Sequence, residues 1–243
     1  MEVRVLERAV RLAPSGDLAL VASFGNEISE VLNIEVRSLM LALEKSNVEG
    51  IVEMTPTYCS LMIHYDPLRI GYQALCEKVL ETLDVLDEIE LPQPRVIEIP
   101  TLYGGEVGPD LEYVAKHNGL TAEQVVEIHV SGTYRIYMLG FTPGFPYLGG
   151  MDKRIATPRL QTPRTKIIGG SVGIAGAQTG IYPIDSPGGW QIIGRTPVAL
   201  YDPLLEVPIL LKTGEYIRFV QIDQDTFDRL SSERIRGTAE RRA

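Results

Sequence analysis

Between Gly140 and Leu200 the chain gathers six cations, Lys153, Arg154, Arg159, Arg164, Lys166 and Arg195, against two anions, Asp152 and Asp185. The local balance is +4 in a chain of net charge −9, leaving −13 for the rest. A basic island in an acidic protein suits an anionic ligand or an acidic partner surface. Interleaved with these cations are Phe141, Phe145, Tyr147, Tyr182 and the single tryptophan, Trp190, together with the amides of Gln178 and Gln191. Polar groups converging in an apolar wall describe a ligand pocket, and Trp, Tyr and Arg are equally the residues of an interface hot spot. The chemistry follows from the groups. Arg159, Arg164 and Arg195 supply the cations of such a site, Gln178 and Gln191 its polar groups, and Tyr182 and Trp190 its wall.

Other chemistries find less support. Gly169-Gly170-Ser171-Val172-Gly173 satisfies the G-x-S-x-G pattern, but a nucleophile elbow needs a helix after the serine, and Ile174 to Gly180 is a poor helix. His64, His117 and His129 all precede Ser171, against the order such a triad requires. No G-x-x-x-x-G-K-[ST] loop occurs, so ATP is not held here by a P-loop. His64 alternates with apolar neighbours in a strand, and His117 sits at a helix end facing solvent. His129, shortly before the glycine-rich stretch, is the acid/base candidate among the three. Cys59 and Cys76 have neither metal-ligand spacing nor a disulfide framework and read as reduced thiols. No metal site is expected.

The elements that must position these residues fall into two parts. Val3 to Leu12 and Leu18 to Phe24 read as strands about the Pro14-Ser15-Gly16-Asp17 turn. A helix over Glu27 to Lys45 follows, with Asn26 as its N-cap. Strands Gly50 to Met54 and Ser60 to Tyr65 and a helix from Pro67 to Leu83 complete ββαββα, an α+β sandwich of the ferredoxin-like kind over residues 1–88. An acidic segment ending in Pro92 and Pro94 has linker composition. Residues 89–228 then form a mainly β domain. It opens with a strand over Arg95 to Pro100 and two helices, Asp110 to Asn118 closed by Gly119, and Ala122 to Val130 opened by a Thr121/Gln124 capping box. Short apolar runs at Tyr134 to Leu139, Ser171 to Ala175, Gln191 to Ile193, Val198 to Tyr201 and Tyr216 to Gln221 indicate a barrel. Residues 229–243 read as a charged, frayed tail.

With 243 residues, 44% of them apolar, the chain can bury a real core. Its apolar runs are far short of the ~20 residues of a membrane span, and a charged N-terminus argues against export, so a cytoplasmic location is expected. The negative net charge excludes a general nucleic-acid binder.

Within the basic stretch, Gly140-Phe141-Thr142-Pro143-Gly144-Phe145-Pro146-Tyr147-Leu148-Gly149-Gly150 is followed by Ala156-Thr157-Pro158-Arg159-Leu160 and Thr162-Pro163-Arg164. Then come Gly170 to Gly176, Gln178-Thr179-Gly180-Ile181-Tyr182-Pro183 and Ser186-Pro187-Gly188-Gly189-Trp190. In this order and spacing they resemble the signature of the KipI family, also labelled allophanate hydrolase subunit 1 and the 5-oxoprolinase B subunit (PxpB). The resemblance extends over nearly the whole chain, including Tyr65-Asp66-Pro67 and Tyr103-Gly104-Gly105. It implies a small α+β domain followed by a cyclophilin-like barrel. It also implies assembly with a KipA-like C subunit and a LamB/YcsF-like A subunit for ATP-dependent opening of 5-oxoproline to glutamate, with Mg accompanying ATP at the assembled complex. The alternatives it implies are inhibition of a sensor histidine kinase and a structural role in a urea- or allophanate-processing enzyme.

Overall fold

The computed structural model describes residues 2–5, 8–86 and 89–242, with side chains described over 10–86 and 89–234. The chain divides into two compact units, Met1–Gln93 and Pro94–Ala243. Among the described residues no helix is long and apolar enough to cross a membrane.

In the first unit the strand expected over Val3 to Leu12 is two strands, β1 (Glu2–Val5) and β2 (Arg8–Pro14), paired antiparallel with Val3 opposite Val10. The sequence continues through β3 (Ala19–Ser23), α1 (Glu30–Ser46), β4 (Ile51–Pro56), β5 (Ser60–Tyr65) and α2 (Tyr72–Asp84). The sheet order is β1-β2-β3-β5-β4, and every pairing is antiparallel. A ferredoxin-like sandwich closes its sheet with a strand after the second helix; here β2, which precedes β3 in the chain, lies beside it instead. Alternation along the strands puts Val10 and Leu12, Leu20 and Ala22, and Leu61 and Ile63 on one face. There they bury against Val36, Leu39 and Leu43 of α1 and Leu75, Val79 and Leu83 of α2. Both helices start later than expected. Ser29 rather than Asn26 precedes α1. The Asp66 backbone carbonyl accepts from the N–H groups of Arg69 and Ile70, holding a turn that delays α2 to Tyr72.

The second unit opens with β6 (Val96–Tyr103), a 3-10 turn at Gly105–Val107, α3 (Leu111–Asn118) and α4 (Ala122–Ser131). Gly119 closes α3 in the left-handed conformation, φ 67°. Thr121 and Gln124 form the reciprocal capping box of α4, with the Thr121 hydroxyl accepting from the Gln124 N–H and the Gln124 side chain accepting from the Thr121 N–H. The strands are β7 (Tyr134–Leu139), β8 (Pro146–Gly149), β9 (Arg164–Ile167), β10 (Ser171–Ala175), β11 (Gln178–Ile181), β12 (Ser186–Gly188), β13 (Gln191–Arg195) and β14 (Tyr216–Gln221). The run Val198 to Tyr201 makes only an isolated bridge, Tyr201 opposite Ile209. Seven strands make a sheet in the order β11-β10-β13-β6-β14-β7-β8. Its edge strands β11 and β8 approach each other, so the sheet curls into a nearly closed barrel, while β9 and β12 pair as a separate ribbon. The parallel pairing of β6 with β14 joins segments far apart in the chain, as in Ile97 opposite Ile217.

Val172 and Ile174 of β10, Ile181 of β11, Ile193 of β13, and Ile217 and Phe219 of β14 pack with Leu111, Val114 and Val125 of the helices as the main core. Each such side chain contributes about 1.5–3 kcal/mol by leaving water. The tail expected to fray is instead helical: α5 spans Gln224–Arg242. The Asp223 carboxylate accepts from the Thr226 N–H at its start, and Arg229 pairs with Glu233 one turn on, spacings that favour a helix even in a charged sequence.

Replacing Thr121 by Ala removes the hydroxyl half of the capping box and should cost about 1 kcal/mol, read as a lowered urea midpoint for the second unit.

Candidate functional site

The loop after β7 is built by its own sequence. The Phe145 N–H donates to the Thr142 carbonyl, with Pro143 and Gly144 between them and Gly144 at φ 81°. This is a type II turn, which wants Pro first and a positive-φ residue second. Before it, the Thr142 N–H donates to the Gly140 carbonyl across Phe141, which sits at φ 65°. A bulky residue in the left-handed region is strained, and the Phe141 side chain is 63% exposed.

The turn delivers Phe145 to the centre of an aromatic cluster. Its ring lies 5.5 Å from Phe141, 5.4 Å from Tyr147, 5.4 Å from Tyr182 and 5.7 Å from Trp190, all edge-to-face. Such pairs contribute roughly 0.5–1.5 kcal/mol beyond their burial. The sheet beneath makes room. Gly173 of β10 and Gly180 of β11 stand directly opposite each other, on the face turned away from Val172, Ile174 and Ile181. A Cβ on Gly180 would meet the Trp190 ring at 3.1 Å and Phe145 at 3.4 Å, and one on Gly173 would meet the Trp190 Cβ at 3.3 Å. By the two-residue period, Gln178 and Tyr182 share this face with Gly180.

Cations border the cluster. The segment carrying Arg159 is fixed by the Gln191 amide donating to the Pro158 carbonyl (2.9 Å) and the Leu160 N–H donating to the Gly189 carbonyl (2.7 Å). Arg159 itself is exposed. Burial pushes the Tyr182 hydroxyl up to about 12, against the opposing pull of the Arg159 charge, the Trp190 backbone N–H and the Arg164 charge. Tyr182 is therefore a protonated phenol beside a cation. Arg164 is committed internally: it meets Asp110 at 2.7 Å and donates to the Trp190 carbonyl at 3.2 Å. The other Asp110 oxygen accepts the Ile192 N–H at 2.6 Å. One carboxylate thus ties the start of α3 to β9 and β13. Sequence reasoning does not single out Asp110, whose only signal is a carboxylate just before a helix.

Three sequence candidates lie elsewhere. Gln191 stands opposite Ile174 on the other face of the sheet and is 2% exposed. Arg195, at the end of β13, donates to the Gly169 carbonyl at 3.2 Å and faces two cavities, of about 140 and 270 Å³. His129 is wholly buried among Phe219, Tyr134 and Tyr103. The Thr179 hydroxyl donates to the Gly173 carbonyl and so must accept from His129 Nε2–H (2.9 Å), leaving Nδ1 to accept from the Tyr103 hydroxyl (2.7 Å). Burial lowers its pKa to about 3. This corrects the acid/base expectation, since the imidazole is a neutral core connector out of reach of a ligand at the surface. Ser171 opens strand β10 with no helix after it, so a nucleophile elbow is absent.

The family model for the carboxyltransferase domain, subdomain C and D, matches residues 10–211. The 5-oxoprolinase B subunit of Bacillus subtilis (strain 168) is 44% identical over 228 residues, 90% of this chain and 95% of that protein. The chain belongs to the 5-oxoprolinase B-subunit family. The Haemophilus influenzae protein of the same name is 53% identical over 179 residues, 74% of this chain and 83% of that one. The crystal structure of TTHA0988 matches with a TM-score of 0.74 and 38% identity over 84% of this chain, which spans only 40% of TTHA0988. The rings of the cluster and the arginines that border it fall in the stretch whose motifs resemble this family.

Because folded His129 titrates near 3 and an unfolded histidine near 6.5, the unfolded chain takes up a proton between those values that the folded chain refuses. Stability should fall as pH drops through this window, approaching about 1.4 kcal/mol per unit, and the His129 contribution should not vary with pH above it. Urea unfolding of wild type and His129→Gln from pH 7 to 4 checks this: the wild type should lose more stability on acidification, whereas parallel curves would refute it.

Proposed function

We propose that this chain is the B subunit of an ATP-dependent 5-oxoprolinase that converts 5-oxo-L-proline to L-glutamate, working with a KipA-like C subunit and a LamB/YcsF-like A subunit in the cytoplasm. Its barrel is read as cyclophilin-like. The observation that carries the proposal is the aromatic cluster on its glycine floor, bordered by an exposed arginine, in a chain of the 5-oxoprolinase B-subunit family. The inclusion of a matching region within the longer TTHA0988 chain supports a fold that works beside further protein. The strained, exposed Phe141 beside the cluster supports a partner contact on the same face.

ATP supplies the phosphoryl group that activates the lactam oxygen, so that water adds to the carbon and the ring C–N bond opens with release of ADP and phosphate. The chain's own groups fit a supporting part in that chemistry. Arg159, exposed on a fixed segment, donates to the substrate carboxylate or to developing phosphoryl charge, where a preorganised cation acts without reorganisation. Tyr182, buried and kept protonated, holds the packing of the wall beneath that cation. Gln178 presents an amide from the same sheet face to the lactam N–H or oxygen, and Trp190 with Phe145 backs the apolar edge of the ring. Arg164 is a positioning residue, donating directly to the Trp190 carbonyl and pairing with Asp110. Magnesium enters with ATP.

Arg159→Ala should lower glutamate formation by the assembled, co-purified complex about a hundredfold, with the complex still intact by size-exclusion chromatography and partial recovery in Arg159→Lys. Full turnover in the Ala variant would remove Arg159 from the mechanism. Inhibition of kinase autophosphorylation by the isolated chain, with no glutamate formed by the complex, would favour the regulatory reading instead.

A further inference from the structure

Behind the bare glycine patch, on the core side of the sheet, three polar side chains stand in line. Thr179 and His129 are fully buried, and Tyr103 is partly buried against the same core. Thr179 lies opposite Ile174, one residue from Gly180. The three form a chain of hydrogen bonds with one direction. The Tyr103 hydroxyl donates to His129 Nδ1 (2.7 Å), His129 Nε2–H donates to the Thr179 hydroxyl oxygen (2.9 Å), and the Thr179 hydroxyl donates to the Gly173 carbonyl (3.1 Å). The Tyr134 hydroxyl holds the His129 carbonyl at 2.6 Å. The chain starts on β6, crosses α4 and β11, and ends on the floor glycine of β10. Each donor along it meets an acceptor, the condition under which a buried polar chain stiffens a core.

The floor has little else to fix it. Glycine is the most permissive residue of the backbone, and Gly173 and Gly180 face each other with no side chains to interlock. The register of β10 against β13 also slips between Val172 and Gly173. The Thr179 hydroxyl reaches Gly173 at this weak point from the side that the rings do not occupy. We propose that Thr179, His129 and Tyr103 are positioning residues whose hydrogen-bond chain holds the Gly173–Gly180 floor at the height on which Trp190 and Phe145 rest. They act through Gly173 and touch no ligand. Purely apolar side chains would fill the same space, but a directed polar chain selects one arrangement of the strands it joins. The inference deepens the reading of the aromatic face as the site. Because it is measured on the chain without turnover, it fails separately from the 5-oxoprolinase reading.

The test is amide hydrogen exchange followed by NMR on the full chain, with Trp190 emission as the second readout. Thr179→Val keeps the shape of the side chain and removes the hydroxyl. Protection of the amides around Gly173 and Gly180 should fall about tenfold further than that of the β14 amides Ile217 and Phe219, and acrylamide should quench Trp190 more strongly. Thr179→Ser, which keeps the hydroxyl, should recover most of both effects. Ile217→Val loosens the same core without removing any bond of the chain, so it should lower protection without singling out the floor. Should Thr179→Val not fold, Tyr103→Phe, which removes only the first donor, is read by the same two measurements and should move them the same way. Equal loss across β10, β11 and β14, unchanged Trp190 quenching, no recovery in Thr179→Ser, or a floor-specific loss in Ile217→Val overturns the proposal.

Discussion

Aromatic rings can pack closely against a strand pair only where the strands beneath present no side chains. Gly173 and Gly180, opposite each other on β10 and β11, supply that bare patch, and the candidate site rests on it. Because the strands alternate, the same residues that leave one face empty let Val172, Ile174 and Ile181 fill the other with core. Trp190 and Phe145 then occupy the patch, and their packing brings the loop of Phe141, the hydroxyl of Tyr182 and the segment of Arg159 to one place. A pair of absent side chains thereby couples the stability of the barrel to the shape of its surface.

The charges around the cluster divide by what already holds them. Arg164 and Asp110 form a partly buried pair whose remaining hydrogen bonds run to the Trp190 carbonyl and the Ile192 N–H. Pairs of this kind contribute little net stability compared with an apolar replacement, while removing one partner is costly. The role that fits is to fix the register between α3, β9 and β13 behind the rings. Arg159 is presented outward instead, on backbone anchored at Pro158 and Leu160. A rigid surface bearing an exposed cation and a strained aromatic has paid for its order in folding, so it loses little on binding.

Much of this was legible in the sequence because it is local. β7, β10 and β14 begin and end where their apolar runs do, the Gly119 and Thr121 caps stand where their side chains require, and Thr142-Pro143-Gly144-Phe145 spells its turn. The five aromatics named from composition converge on one cluster. What the sequence hides is long-range or depends on facing. The parallel partnership of β6 with β14 crosses most of the second unit. Gln191 differs from Gln178 only by which side of the sheet it meets. His129 looks like a helix-end histidine until Phe219 and Thr179, from distant segments, close over it. The N-terminal strand divides because β1 and β2 pair with each other, and hydrophobic alternation does not mark such a break.

Trp190 is the only tryptophan, so its fluorescence reports the cluster alone. Buried against the glycine floor, Trp190 should give a blue-shifted emission poorly quenched by acrylamide in the wild type. In Gly180→Val, whose side chain must displace the ring, emission should shift to the red and quenching should rise while the far-UV circular dichroism stays that of a folded protein. An unchanged emission and quenching constant in folded Gly180→Val would contradict the claim that the glycine floor holds this surface together.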